Sequence, residues 1–487
     1  MKKWNQPGGS VPEPTSHTSK VLVALAFVFI LAAGGLLFWF MGPRTARADL
    51  DPYTTFIERA EERLRGNDRV GAIADYTEAL THRPDDLPAL ARRAAALTQH
   101  GEHADAIADL DRLIELAPDA PEHYQARGEA HYQTGNYDQA VADFTRVIEL
   151  DDERTDAHRG RGKARLAGND AADAVSDFTA AIQRRATDAD LYRRRGDARR
   201  ALGDLPGAIA DYDEAIRLAP DEATAYHNRA ISRKARGDLA GAIADYDEVI
   251  RMRMRDPAVY FNRANARAAA GDLDGAILDY GETIRLQSKD PEAYYARAGC
   301  FEARGELRRA IADYGDAIRL RPTDPVAYVA RGGAKHRYGD LSGAIADYNR
   351  AVALGPKDHT AYCDRARIKR EIGDLSGSIT DYDQAMAIEL GYAPAYCGRG
   401  RTHLANNDLP NALADFNRAL ELDPDYMSAY RFRGEVRVLA GDFRGAIEDF
   451  RTVLDRATDR NLVRIANRYL LKLEPYGPGG AQQPDRQ

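Results

Sequence analysis

The stretch "YHNRAISRKARGDLAGAIADYDEVI", residues 226–250, decides the fold. It reads as two amphipathic helices joined at Gly237, with Asp238 placed to cap the second. One feature is out of pattern. A turn after Tyr226, where an apolar contact is expected, stands Arg229, and sixteen residues further on stands Asp245. Both halves of an ion pair occupy what should be a hydrophobic seam.

Laid against itself, the chain repeats every 34 residues. The turn residue falls at Asn67, Gly101, Gly135, Asn169, Gly203, Gly237, Gly271, Gly305, Gly339, Gly373, Asn407 and Gly441, without insertion or deletion. Gly and Asn tolerate the left-handed backbone that ends a helix. Asp or Asn usually follows, as at Asp204 and Asp272, and caps the next helix. The first helix often opens on Asp-Pro, as at Asp256-Pro257, Asp290-Pro291 and Asp324-Pro325. That is a capping residue followed by proline at the first helical position. Twelve helical hairpins are expected.

The repeats resemble tetratricopeptide repeats. An aromatic opens the first helix at Tyr192, Tyr226, Tyr260, Tyr294 and Tyr328, and four residues on stands Gly or Ala in all twelve copies. The second helix supplies alanine, as at Ala208 and Ala242, with Ser378 the exception. An aromatic follows, as at Tyr212 and Tyr246, with Leu110 the departure. The resemblance covers residues 53–456. It implies an all-α, right-handed solenoid superhelix whose first helices line a concave face that binds extended peptides or partner helices. Physically, small residues let helices approach while aromatics fill the layer between hairpins, and one hairpin cannot bury its apolar face alone.

Arg229 and Asp245 have counterparts in every copy, among them Arg195–Asp211, Arg263–Asp279, Arg297–Asp313 and Arg331–Asp347. Each Arg lies eight residues before the turn residue and each Asp eight after, so both sit about 12 Å from the turn at 1.5 Å per residue. A half-buried pair adds little against a Leu, because desolvation offsets attraction. A slipped hairpin, however, would strand two charges, so the pair is expected to set register. A device present in every copy is architecture before it is a binding site.

One turn beyond that Arg the family has a large aromatic, but here the position is mostly basic: Arg63, Arg165, Arg199, Arg233, Arg267, Lys335, Lys369 and Arg437, with His131 and His403. Such cations either pair with acids of the neighbouring repeat, the reading taken here, or line an anion-attracting surface. Gly207, Gly241, Gly275 and Gly343 face them and are read as leaving room for their stems.

Mapped onto the binding face that the resemblance implies, one basic stretch holds Arg159, Lys163, Arg193, Arg194, Arg200 and Lys234; a second holds Arg367, Arg370, Arg401 and Arg431. These are the candidate partner-binding residues. Asp156, Asp190, Asp197 and Asp364 interrupt them, so a mixed-charge solvated face is the plain alternative. The family clamp for chaperone C-terminal carboxylates is not expected: Asn228 and Asn262 hold its middle position, but Ala258 and Glu292 stand where a Lys must follow. No catalytic, cofactor-binding or metal residues emerge. "GRGKARLAG" from Gly160 continues Gly162-Lys163 with Ala164 rather than Ser or Thr, and lies inside a helix.

With 68 basic and 76 acidic residues the net charge is −8, which argues against nucleic acid as the main partner. Cys300, Cys363 and Cys397 are too few for a disulfide framework. Cys363 and Cys397 hold equivalent places in adjacent repeats, whose helices stand roughly 8–10 Å apart, beyond disulfide reach, so free thiols are expected.

"VLVALAFVFILAAGGLLFWFM", Val21–Met41, is 21 residues without a charge, long enough to span a bilayer. A cleaved signal peptide is the rival reading, since Ala46-Arg47-Ala48 has the small-x-small form, but the run exceeds the roughly 7–15 apolar residues of a signal. Positive charges flank it almost equally, and the free amine tips the orientation to N-inside, with the repeats exported across a bacterial inner membrane. The expected organisation is a flexible arm over 1–19, a transmembrane helix over 20–42, a linker over 43–52, repeats over 53–456, a capping helix over 457–474 and a disordered tail over 475–487. The leading functional reading is a membrane-anchored scaffold for protein–protein interaction, with self-association open. The alternative is a non-catalytic subunit of an envelope biosynthesis or secretion complex. An enzyme using the Arg-rich groove stands third.

Overall fold

The computed structural model describes residues 51–253 and 255–473. The segment Val21–Met41, the arm before it and the tail over 475–487 lie outside the described residues. Among the described residues there are twenty-five α-helices and no strand. None of these helices is long and apolar enough to cross a membrane.

The first twenty-four helices form twelve hairpins, from Pro52–Arg65 with Arg69–His82 to Met427–Leu439 with Phe443–Arg456. Every predicted turn residue has a positive φ, from 60° at Asn407 to 94° at Gly339. Helix starts follow the capping logic. Asp238 accepts from the amide of Gly241 at 2.9 Å, and Asp256 accepts from Ala258 at 2.9 Å ahead of its proline.

The chain divides into two units, one ending at Gly160 and one beginning at Arg161. The first holds three complete hairpins; Phe144 is buried there, and a Cβ on Gly128 would lie 3.1 Å from its ring. The second unit holds hairpins five to twelve and the closing helix Arg460–Leu473. In it, Tyr212, Tyr246 and Tyr348 and the alanines facing them are all but fully buried. The closing helix lays Tyr469 flat on Phe450, ring centres 4.7 Å apart, and covers the apolar side of the last hairpin. Hydrophobic burial of small and aromatic side chains between hairpins thus supplies the cohesion.

Cys300, Cys363 and Cys397 are free thiols.

Candidate functional site

Most of the recurring charges are engaged with one another and are not available to a ligand. Arg229 donates from Nε and Nη2 to Asp245 at 3.0 and 2.6 Å. The same two-pronged contact occurs in all twelve hairpins, for example Arg263–Asp279 at 2.8 and 2.6 Å and Arg331–Asp347 at 2.9 and 2.6 Å. Arg195–Asp211 and Arg297–Asp313 are joined likewise. All twelve carboxylates are buried. The guanidinium commonly lies over the aromatic three residues earlier, as Arg229 does over Tyr226 at 5.2 Å. Burial alone would lower the proton affinity of Arg229; the bonds and charges of Asp245 and Asp213 outweigh it and hold the guanidinium above its ordinary value.

One expectation is corrected. The second cation of each hairpin does not turn chiefly to the neighbouring repeat. Arg199, Arg233, Arg267 and Arg437 reach the same hairpin's buried Asp at 2.9 Å, Arg165 at 2.7 Å, and Lys335 and Lys369 at 2.8 Å. On a helix the two cations are one turn apart, and one carboxylate with four lone-pair sites accommodates both. The facing glycines do leave room for the stem, since a Cβ on Gly275 would fall 3.0 Å from Arg267 Cδ, and they make way for the helix cap as well. A Cβ on Gly343 would fall 2.1 Å from the Asp340 carboxylate that caps that helix. The cation does lie over this turn, as where Arg437 donates to the Gly445 carbonyl at 3.0 Å.

It is the first Arg that crosses between repeats, through its remaining Nη1. Arg127 reaches Asp111 at 2.7 Å, Arg229 reaches Asp213 at 2.6 Å, and Arg399 reaches Asp383 at 2.6 Å. Arg365 and Arg433 find Asn349 and Asn417, and Arg93 and Arg195 find Thr77 and Thr179. The sequence signal is an Asp, Asn or Thr sixteen places before nine of the twelve arginines, a spacing that joins neighbouring hairpins rather than the two helices of one.

With these groups engaged, the first helices display residues that differ from copy to copy. Two places before the shared Arg the second unit shows Arg193, His227, Phe261, Tyr295, Val329, Cys363, Cys397 and Arg431; two places after it shows Asp197, Ile231, Asn265, Gly299, Gly333, Arg367, Arg401 and Glu435. Phe261 and Tyr295 pack on Tyr280 and Tyr314, ring centres 5.6 and 5.3 Å away.

The two basic stretches fare differently. Arg193 pairs with Asp197 at 3.1 Å and also with Asp190, which takes Arg194 at 2.6 Å. Arg159 belongs to the first unit; Lys163, Arg200 and Lys234 belong to the second. Of the second stretch, Arg367 pairs with Asp364 and Arg431 with Glu435. Arg370 and Arg401 have no acidic partner among the described residues, and the Nε of each is buried without an acceptor.

Buried hairpins locked in register, carrying a variable face on their first helices, define a helical-repeat protein. Models of the tetratricopeptide repeat match residues 93–165 and residues 57–121, 227–291, 261–325 and 397–461, and a TPR repeat model matches 196–234. The chain is a tetratricopeptide repeat protein.

Among solved structures it is similar to a tetratricopeptide repeat protein from Parabacteroides merdae (17% identity, TM-score 0.44, 51% of this chain and 98% of that one). It is also similar to the C-terminal part of a TPR repeat-containing protein from Cytophaga hutchinsonii (22%, 0.43, 49% and 98%) and to yeast Tom70 (16%, 0.38, 87% and 96%). No curated protein matches it.

Proposed function

We propose that this protein is a membrane-anchored scaffold that binds a protein partner on the first-helix face of its hairpins. One observation carries the reading. Residues identical in every hairpin are consumed by architecture, whereas residues that vary lie side by side on the first helices. A feature shared by all copies cannot discriminate among partners; a row of Phe261, Tyr295, Val329 and flanking charges can. The family's use of that face for peptides and partner helices supports the same assignment.

Anchoring rests on the uncharged run Val21–Met41, and the orientation taken is N-inside with the repeats exported. A reporter fused after Gln487 and active on one side only tests that orientation. A non-catalytic subunit of an envelope complex would use the same face and differ in holding one partner stoichiometrically.

Photo-crosslinking in the native host tests the face itself. A crosslinking amino acid at Ile231, Lys234 or Gly333 is expected to capture partner, and one at the outward-facing Leu278, 71% exposed on a second helix, is not. Capture at Leu278 alone would overturn the assignment.

A further inference from the structure

Arg401 differs from every arginine of the repeated pairs. Its guanidinium lies over the Phe432 ring, 4.4 Å from the centre, and Arg431 lies over the same ring at 4.0 Å. The Nε of Arg401 is buried and bonded to nothing, as is the Nε of Arg370 on the preceding hairpin's first helix. Neither residue has an ion pair among the described residues, although Arg367 and Arg431 nearby are neutralised by Asp364 and Glu435. Burial pushes the Arg401 guanidinium below its ordinary value, and the charges of Arg370 and Arg431 push it further down. Tyr382 sits among these cations, its phenol raised by burial and drawn back by Arg370, Arg401 and Arg367. It fits there because residue 398 is glycine; a Cβ would lie 2.4 Å from the Tyr382 ring. Two positive charges, each with a buried and unbonded Nε, are therefore held near one another on two successive first helices, with no acidic partner among the described residues.

Unpaired buried donors and crowded like charges are unfavourable while empty, and a bound anion relieves both. We propose that Arg370 and Arg401, flanked by Phe432, form a binding site for a carboxylate on an acidic side chain of an extended partner segment. The proposal rests on the reading that first helices bind protein. A guanidinium held over a ring keeps N–H groups free to form a fork that matches a planar carboxylate. An excess of two charges in a chain of net charge −8 suits single carboxylates and is too small to hold a polyanion such as nucleic acid.

The probe is fluorescein-labelled hexaglutamate, amidated at its C-terminus, followed by fluorescence anisotropy against the full-length protein at low salt. Arg370→Gln and Arg401→Gln are each expected to weaken binding about tenfold, the scale of one charge-assisted contact. Arg401→Lys should lose less, and Arg236→Gln, an equal change of charge elsewhere on the exposed surface, should bind as the parent does. Because the two cations lack partners, thermal melts of the Gln variants should stay at or above the parent's, which separates lost binding from lost folding. Equal binding by Arg370→Gln, Arg401→Gln and Arg236→Gln would overturn the proposal. So would binding only when the peptide's C-terminal carboxylate is free, or charge-dependent binding of anionic vesicles in place of the peptide. If crosslinks form at Ile231 and Gly333 while the Gln variants bind unchanged, this inference alone falls. If hexaglutamate binding is lost in the variants but no crosslink forms, the site stands and the scaffold reading falls.

Discussion

Arg229 donates from Nη1 to Asp213 at 2.6 Å, joining the first helix of one hairpin to the second helix of the hairpin before it. The same guanidinium holds Asp245 within its own hairpin. One side chain thus fixes both the register inside a repeat and its placement on the preceding one. The two contacts should weigh differently, because Asp213 is half-exposed and Asp245 is 4% exposed.

Asp245→Ala should destabilise by about 3–5 kcal/mol, since it leaves Arg229 and Arg233 facing a buried gap. Asp213→Ala, screened by solvent, should cost roughly 0.5–1 kcal/mol. Urea unfolding with hydrogen exchange across residues 223–251 measures both. A loss under about 1 kcal/mol for Asp245→Ala would remove the register role.

Among the described residues, the hairpins of Arg297 and Arg331 have no side chain to take the crossing contact. Where Arg297 and Arg331 would reach the preceding second helix, the residues are Gly281 and Gly315, and a Cβ there would stand 3.7 and 3.5 Å from the guanidinium. The space is sufficient and the charge is waiting. Gly281→Asp and Gly315→Asp should each stabilise by roughly 0.5–1 kcal/mol through the new pair, beyond the change due to helix propensity. Chemical denaturation of Gly281→Ala and Gly315→Ala beside them separates the two effects. An alanine as stabilising as aspartate would show the crossing contact to be idle.

The repeat length, the turn residues and the Arg–Asp spacing were legible because each is a local rule written twelve times. Asn67, Gly203 and Gly441 announce left-handed turns wherever they stand. What stayed hidden depends on neighbours in space. Whether Arg233 would choose Asp245 or an acid of the adjacent repeat turns on where two side chains meet, and the shared carboxylate takes both cations. Likewise Arg193 and Arg401 look alike in sequence, yet one is neutralised by Asp190 and Asp197 and the other lies over the Phe432 ring with no acidic partner among the described residues. The sequence marked both as candidates; only the packing of Asp197 and Phe432 tells them apart.

Gly398→Ala tests the packing under that second cluster. The added methyl would overlap Tyr382, which is 4% exposed and pinned among neighbours. Overpacking of this kind should cost about 1–3 kcal/mol, more than the helix propensity gained. Thermal unfolding reads the balance; an unchanged or raised midpoint would mean that the tyrosine has room to move.

The cysteines give a pH-dependent outcome. Burial pushes the thiols of Cys363 and Cys397 up to about 12, from an ordinary value of 9.0. At pH 8 roughly one in ten thousand is then thiolate, against about one in ten for an ordinary thiol, so reaction with Ellman's reagent should be about a thousandfold slower in the folded protein. The sign for stability follows from the same shift. Folding holds these protons more tightly than the unfolded chain does, so the contribution is fully present below about pH 9 and is lost as pH climbs towards 12. Denaturation midpoints should therefore fall across that window, and replacing Cys363 and Cys397 by Ala should flatten the fall. Rapid modification of both thiols at pH 8 without denaturant would show that hairpins ten and eleven open far more often than their burial implies.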